Sequence, residues 1–424
     1  MEGRSRWREL FREYRGIPWE AKLLIYLSFI PSFAISFIYT DLSFFLPNVQ
    51  GVAPTLAGVV ITVMGLALVA GSIPLGILAD RYGRRKMLVI GNLCASLSLI
   101  GFALTKNFGL LLGVATVEGI GEAAFAVSVG ALIADKAGDQ KRTAAFSLLS
   151  FLGYIAGGIG GFAISSLFVF EGLGLNIAQA HVSLYFFVGL LNLSITPLIF
   201  KIKETATTTR RKEILPRKSG DVLKKFGLYS VIIAAGAGLF VPLMAYWFSA
   251  AYGVSDAISG PVLGVTQLLT AGAVVMSPRL ASRFGNVRAT VMTQAASTLF
   301  MVFIPISPTF GFAASLYLVR VFLMNLSNPL TQSLIMGLVE PEERGMASGI
   351  ASALWRLPNA LTVTAGYALV GAGLLGYPFY VATVLYLIGI GIYWLFFKGA
   401  RLPEESATTQ DAQSSSLEGP AEER

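Results

Sequence analysis

Residues 76–86 read GILADRYGRRK, one acid and four bases punctuated by two glycines and flanked on both sides by long apolar runs. So short a charged segment between such runs is a loop at a membrane surface, since a helix needs about 20 apolar residues to cross the hydrocarbon. Working outward from this loop, apolar runs fall at 23–47, 54–79, 87–105, 108–134, 144–169 and 181–200. After a polar break they resume at 227–250, 259–281, 289–306, 310–338, 346–370 and 378–397. The expected fold is all-α, an integral membrane protein with 12 transmembrane helices.

Composition agrees and excludes most alternatives. Of 424 residues, 54% are hydrophobic and only 13% charged, against about 25% charged in soluble domains. Mean hydropathy is +0.68. The net charge of +8 suggests nucleic acid only until the charges are placed. With the N-terminus inside, 29 of the 32 Lys and Arg fall in cytoplasmic segments, which is the positive-inside signature. Both termini are then cytoplasmic, the bilayer is the partner, and no nucleic acid is expected. One Cys and one His exclude an intrachain disulfide and a site built from several histidines, so no metal and no cofactor is expected. His181, at the start of the sixth run, reads as an interfacial residue without a role.

The domain reading is a cytoplasmic N-terminal segment (1–22), a six-helix bundle (23–200), a cytoplasmic linker (201–226), a second six-helix bundle (227–397) and a disordered cytoplasmic tail (398–424). In the first segment Trp7, Leu10 and Phe11 suit either an interfacial helix or a solvated tail. The bundles are repeats. A shift of 202 residues carries Gly76–Gly83 onto Pro278–Gly285, Lys86 onto Arg288, Arg142 onto Arg344 and Ala145 onto Ala347. Two parallel repeats imply bundles related by an axis along the membrane normal, enclosing a cavity that opens to alternate sides.

The loop resembles the signature of the major facilitator superfamily, with Gly76, Leu78, Ala79, Asp80, Arg81, Gly83, Arg84 and Arg85 in place. The resemblance covers about residues 20–400 and implies the superfamily's two-bundle transporter fold. It also implies that Asp80 holds the halves together on the cytoplasmic side, against the eleventh span near Gly345–Met346. Asp135, at the end of the fourth span, would pair with Arg81 or Arg84. Gly76 would allow close helix approach, and Gly83 a tight turn. Two family patterns are incomplete. Ala115 stands where drug exporters often carry arginine, with Glu118 at a glutamine place. The fifth-span antiporter pattern survives as Gly153, Gly157, Gly158, Gly160 and Gly161 without its proline.

Charges within spans are costly and face a cavity or a partner. They are Asp41, Glu118, Glu122, Arg320 and Arg356. Glu118 and Glu122, four apart, share a helix face and should not both ionise easily, which suits a proton-accepting site. Arg320 is the repeat counterpart of Glu118. In the family the first, fourth, seventh and tenth spans line the cavity, so Glu118 is expected to face Arg320 as the protonation site. Asp41 is read evenly as functional or as a helix-end residue. Arg356, on a span usually peripheral in the family, is read as a cavity candidate or, somewhat in preference, a structural partner. Gln267, Asn325, Asn328 and Gln332 form a candidate ligand wall or interhelical glue, and Tyr246, Trp247 and Tyr252 suit an interfacial belt or, second, the mouth of an aromatic cavity.

The functional expectation is a monomeric secondary active transporter of the plasma membrane, not an enzyme. It would be coupled to protons and lean toward export of amphipathic or cationic compounds. The alternatives are a proton-coupled symporter for an organic anion or sugar-like solute, and a non-transporting receptor or sensor. No nucleotide-binding loop occurs in the cytoplasmic segments, which argues against direct ATP drive.

Overall fold

The computed structural model describes residues 14–204, 219–340 and 343–400. The expectations for Trp7, Leu10 and Phe11, for most of the linker and for the tail beyond residue 400 lie outside the described residues. Those described are almost entirely helical, with no strand among them. The helical segments are α1 (Trp19–Val49), α2 (Pro54–Tyr82), α3 (Arg84–Leu104), α4 (Phe108–Gly138), α5 (Gln140–Gly172) and α6 (Ile177–Ile199). The second set comprises α7 (Gly220–Tyr252), α8 (Asp256–Phe284), α9 (Asn286–Phe303), α10 (Phe310–Leu338), α11 (Arg344–Gly371) and α12 (Tyr377–Phe397). Ten of these are long and apolar enough to cross a membrane. The shorter α9 and the more polar α11 occupy the remaining two places of the expected 12.

Local chemistry explains the ends. Gly83 (φ +106°) joins α2 to α3 and Gly285 (φ +77°) joins α8 to α9, each in a conformation that L side chains avoid. Gly83 N–H donates to the Ala79 carbonyl (3.0 Å), and Gly285 N–H to that of Ala281 (2.7 Å). These glycines are 202 residues apart, so the repeat seen in sequence is a repeat of backbone geometry. Arg81 over the Tyr82 ring (5.5 Å) and Arg283 over Phe284 (5.3 Å) repeat it in side chains. Gly138 (φ +67°) breaks what is otherwise one rod into α4 and α5. Pro242, which has no N–H to donate, lies where α7 tightens to a 3-10 turn at Val241–Leu243.

One boundary differs from expectation by more than four residues. α7 begins at Gly220, seven residues inside the expected linker. There Leu223 and Phe226 are buried and Lys225 pairs with Asp221 at 2.7 Å. The apolar face therefore continues through a segment whose lysines disguise it.

The two sets of six helices meet along two seams of small residues. On one, a Cβ on Gly161 of α5 would lie 2.5 Å from Gly264 Cα of α8, and Ser165 Oγ donates to the Ala257 carbonyl (2.7 Å). On the other, Thr62 of α2 donates to the Ala360 carbonyl of α11 (2.9 Å) and meets Thr364 Oγ1 at 2.8 Å. Tyr367 Oη completes this end by donating to the Ser43 carbonyl (3.2 Å). Small residues let helix backbones approach within direct contact distance, which drives association where no hydrophobic effect operates. Toward the opposite end, Gly76, Gly272 and Gly349 would meet nothing within 4 Å if given a Cβ. The close approach expected at Gly76 is not made in this conformation.

The seam yields a stability prediction. Gly161→Val should destabilise the protein by about 1–3 kcal/mol through overpacking against Gly264. Gly113→Ala, which meets open space, should be neutral or stabilising by up to about 1 kcal/mol. Thermal unfolding of both variants in detergent checks the contrast.

Candidate functional site

Between the two sets of helices lies a cavity of about 790 Å³, within the range of a drug-sized ligand, about 300–1,000 Å³. It is lined by residues of α1, α2, α4, α5, α7, α8, α10 and α11. Two charged residues line it, Glu122 of α4 and Arg356 of α11. Arg356 Nη1 stands 3.6 Å from Glu122 Oε1, and Tyr39 Oη of α1 donates to Glu122 Oε2 at 2.7 Å. Glu122 is 8% exposed, whereas the Arg356 side chain is 49% exposed. A mostly buried carboxylate is thus clamped by a phenol from its own half and a guanidinium from the other. Tyr154, Tyr317 and Trp355 supply aromatic wall around them.

This arrangement corrects several expectations. Arg356, open between a structural and a cavity role in the sequence, lines the cavity. Glu118 and Arg320 do not meet. Glu118 is 1% exposed, lies against Ser98 of α3, and its Oε2 has no hydrogen-bond partner. Four residues turn a helix through about 400°, so Glu118 is rotated about 40° from Glu122. That rotation sends it into the packing of its own half. Arg320 donates to Tyr386 Oη of α12 (2.7 Å), and its guanidinium lies over the rings of Phe240 (4.8 Å) and Tyr386 (5.5 Å). Symmetry-related positions in the two repeats therefore serve two separate interiors.

Of the candidate ligand wall, Gln267 lines the cavity and donates to Ser36 Oγ at 3.4 Å. Asn325 bonds the Val321 carbonyl (2.9 Å), Asn328 bonds Asn325 (2.9 Å), and exposed Gln332 is not among the lining residues. The expected aromatic belt is interior packing instead. Trp247 is fully buried and donates to the Leu375 carbonyl (2.8 Å), while Tyr246 stacks on Tyr367 at 5.4 Å.

In the loop at 80–86, Arg84 is the hub. It donates to Asp80 at 3.0 and 3.1 Å, to the Ala131 carbonyl at 3.4 Å, and to Asp135. Of the two arginines the resemblance allowed, Arg84 takes Asp135 and Arg81 lies over Tyr82. Glu204 accepts the backbone N–H groups of Arg84 (2.9 Å) and Arg85 (3.1 Å), capping the start of α3. Arg85 also donates to the carbonyls of Phe200 and Ile202, both at 3.3 Å.

Residues that sequence reasoning missed fall in two groups. Tyr39 and Asn359 line the cavity as uncharged polar residues in ordinary apolar runs. His181 and Asp256 are buried beside Asp41 at the closed end of the seams, with His181 Nε2 2.6 Å from Asp256 Oδ2. The histidine given no role is therefore part of a buried ionisable cluster. Asp256 sat in a turn between spans, where an acid draws no notice.

Two helical halves enclosing a solute-sized cavity define a polytopic membrane transporter. The chain belongs to the major facilitator superfamily, whose family model, described as Major Facilitator Superfamily, matches residues 23–357 and 226–420. It is 28% identical over 332 residues to multidrug resistance protein 1 of Bacillus subtilis (strain 168), covering 74% of this chain and 80% of that one. It is 25% identical over 339 residues to the class C tetracycline resistance protein of Escherichia coli, covering 74% and 80%. Among solved structures, the nucleoside transporter NupG matches with a TM-score of 0.71 at 14% identity, covering 90% of this chain and 98% of that one.

Arg356→Ala should destabilise the protein by about 1 kcal/mol, because it leaves Glu122 buried with only Tyr39. Adding Glu122→Gln should recover most of that loss, and a double-mutant cycle by thermal unfolding reads the coupling.

Proposed function

We propose that this chain is a proton-coupled secondary active transporter that exports amphipathic cations by alternating access. The observation that carries the reading is Glu122 held between Tyr39 and Arg356 inside a cavity shared by both halves. A carboxylate held partly by an exposed, displaceable guanidinium is open to two competitors. A cationic solute takes the place of Arg356 at Glu122, with Tyr154, Tyr317 and Trp355 offering faces to its positive charge. A proton neutralises Glu122 and releases the same contact. Because one carboxylate serves both, cation and proton exclude one another, and exclusion is what an exchanger needs.

Sidedness follows from the basic loops. If 80–86 faces the cytoplasm, as the positive-inside bias supports, both termini lie there. The sealed end is then external, and the cavity opens to the cytoplasm, the side from which an exporter loads. The plasma membrane is the location this reading assigns. One chain supplies the whole cavity, so a monomer suffices. The resistance proteins to which the chain is similar are consistent with export of diverse small compounds. The half-exposed guanidinium of Arg356 favours a second reading, an organic anion or sugar-like solute carried with protons.

Reconstitution in proteoliposomes with an imposed pH gradient tests the first reading. Gradient-driven accumulation of a cationic dye is expected for the wild type, with a loss of about tenfold or more in Glu122→Gln. Glu118→Gln should retain it. Absence of dye flux in folded wild type, with anion flux that depends on Arg356, would replace the first reading by the second.

A further inference from the structure

Away from the cavity, the closed end holds a second cluster of ionisable groups drawn from both halves. Asp41 of α1 and His181 of α6 are 0% exposed and Asp256 of α8 is 1% exposed. One nitrogen or oxygen from each lies within 4.8 Å of the others. His181 Nε2 is 2.6 Å from Asp256 Oδ2 and 3.9 Å from Asp41 Oδ1. The rings of Phe44 and Phe45 stack on the imidazole at 6.2 and 5.4 Å.

The other ring nitrogen decides the chemistry. His181 Nδ1 is 2.7 Å from the Ile177 carbonyl oxygen. A carbonyl only accepts, so Nδ1 carries a hydrogen. In the neutral ring Nε2 then presents a lone pair to a carboxylate oxygen 2.6 Å away, and two lone pairs at that distance repel. A positive charge must lie between them. Neither oxygen of Asp41 is in good hydrogen-bonding geometry with a donor, although Tyr185 and Asp256 lie beside it. The second oxygen of Asp256 accepts from Ala257 N–H at 2.9 Å.

A neutral imidazole with two carboxylates sums to two negative charges in a site closed to solvent. Two protons balance the charge, one on the His181–Asp256 contact and one on Asp41, which has Asp256 and Tyr185 beside it to bond. One divalent cation balances the charge and engages all three side chains. We propose that Asp41, His181 and Asp256 bind one divalent transition-metal cation, which tethers the two halves at the closed end.

One imidazole nitrogen and two carboxylate oxygens suit Zn²⁺, Mn²⁺ or Fe²⁺. The Nδ1–H bond to Ile177 is the outer-shell contact that orients a metal-binding histidine and fixes its tautomer. At ligand distances of about 2.0–2.2 Å, adjacent donors on one metal lie about 3.0–3.5 Å apart, so binding parts His181 Nε2 from Asp256 Oδ2 by several tenths of an ångström and draws Asp41 inward. Opening this end would part α8 from α1 and α6 and dismantle the site. The cation therefore favours the conformation described here.

The test uses the full chain in detergent, freed of any affinity histidines and stripped with chelator. The chain has one histidine, so ¹⁵N-imidazole labelling reports on His181 alone. Titration with Zn²⁺ or Mn²⁺ should show about one ion bound per chain and a rise in thermal midpoint. With Zn²⁺ the Nε2 resonance should shift while Nδ1 keeps its hydrogen. Asp41→Asn and Asp256→Asn should each weaken binding by about tenfold or more, and Asp221→Asn, on the surface, should not. Failure of the folded wild type to bind metal stoichiometrically overturns the proposal, and needs no variant to fold. Binding that survives both aspartate changes and His181→Gln is adventitious and also overturns it. So does a His181 resonance that follows pH but not metal, which assigns the two-proton arrangement.

Discussion

A charge carried into an apolar slab must be met inside the protein, and in this molecule the critical one is met from the opposite half. Glu122 belongs to the first six helices, and Arg356, its ionic partner, belongs to the last six. The pair does for the middle of the protein what the glycine and threonine seams do for its closed end. The difference lies in exposure. The seams are close backbone and threonine contacts, whereas the ion pair has a half-exposed member, Arg356.

That contrast divides the structure into parts with separate tasks. Gly161 against Gly264 and Thr62 against Ala360 and Thr364 close one end of the interface by direct contact. The cavity beside them is lined by aliphatic, small polar and aromatic side chains around Glu122 and Arg356. At the loop end, Arg84 gathers Asp80 and Asp135, and Glu204 caps the next helix. The loop is thereby tied firmly to its own half. Rigid halves with a weak joint are the mechanical requirement for rocking about a central site.

Much of the fold was legible because lipid imposes length and charge rules that local sequence must obey. The loop at 76–86, the apolar runs and the 202-residue repeat all reappear, down to positive φ at both Gly83 and Gly285. The start of α7 was misjudged because Lys224 and Lys225 hide the buried face of Leu223 and Phe226. The site was legible only in its parts. Glu122 and Arg356 were visible as charges inside spans, but their meeting depends on how two bundles dock, which no spacing within one bundle encodes. The repeat argument paired Glu118 with Arg320, yet a 202-residue relation equates environments and does not bring the equivalent residues together. His181 and Asp256 were overlooked because residues at span ends ordinarily meet water, and here a tight seam buries them.

The central claim is that a cation and a proton compete for Glu122. Affinity of the purified protein for tetraphenylphosphonium, measured across a range of pH, addresses it without depending on flux. The account predicts that wild-type affinity rises with pH by up to about tenfold per unit, one proton exchanged per cation, and that Glu122→Gln binds weakly with no pH dependence. A pH dependence that persists in Glu122→Gln and disappears in Glu118→Gln would contradict it and place the exchange on the carboxylate buried against α3.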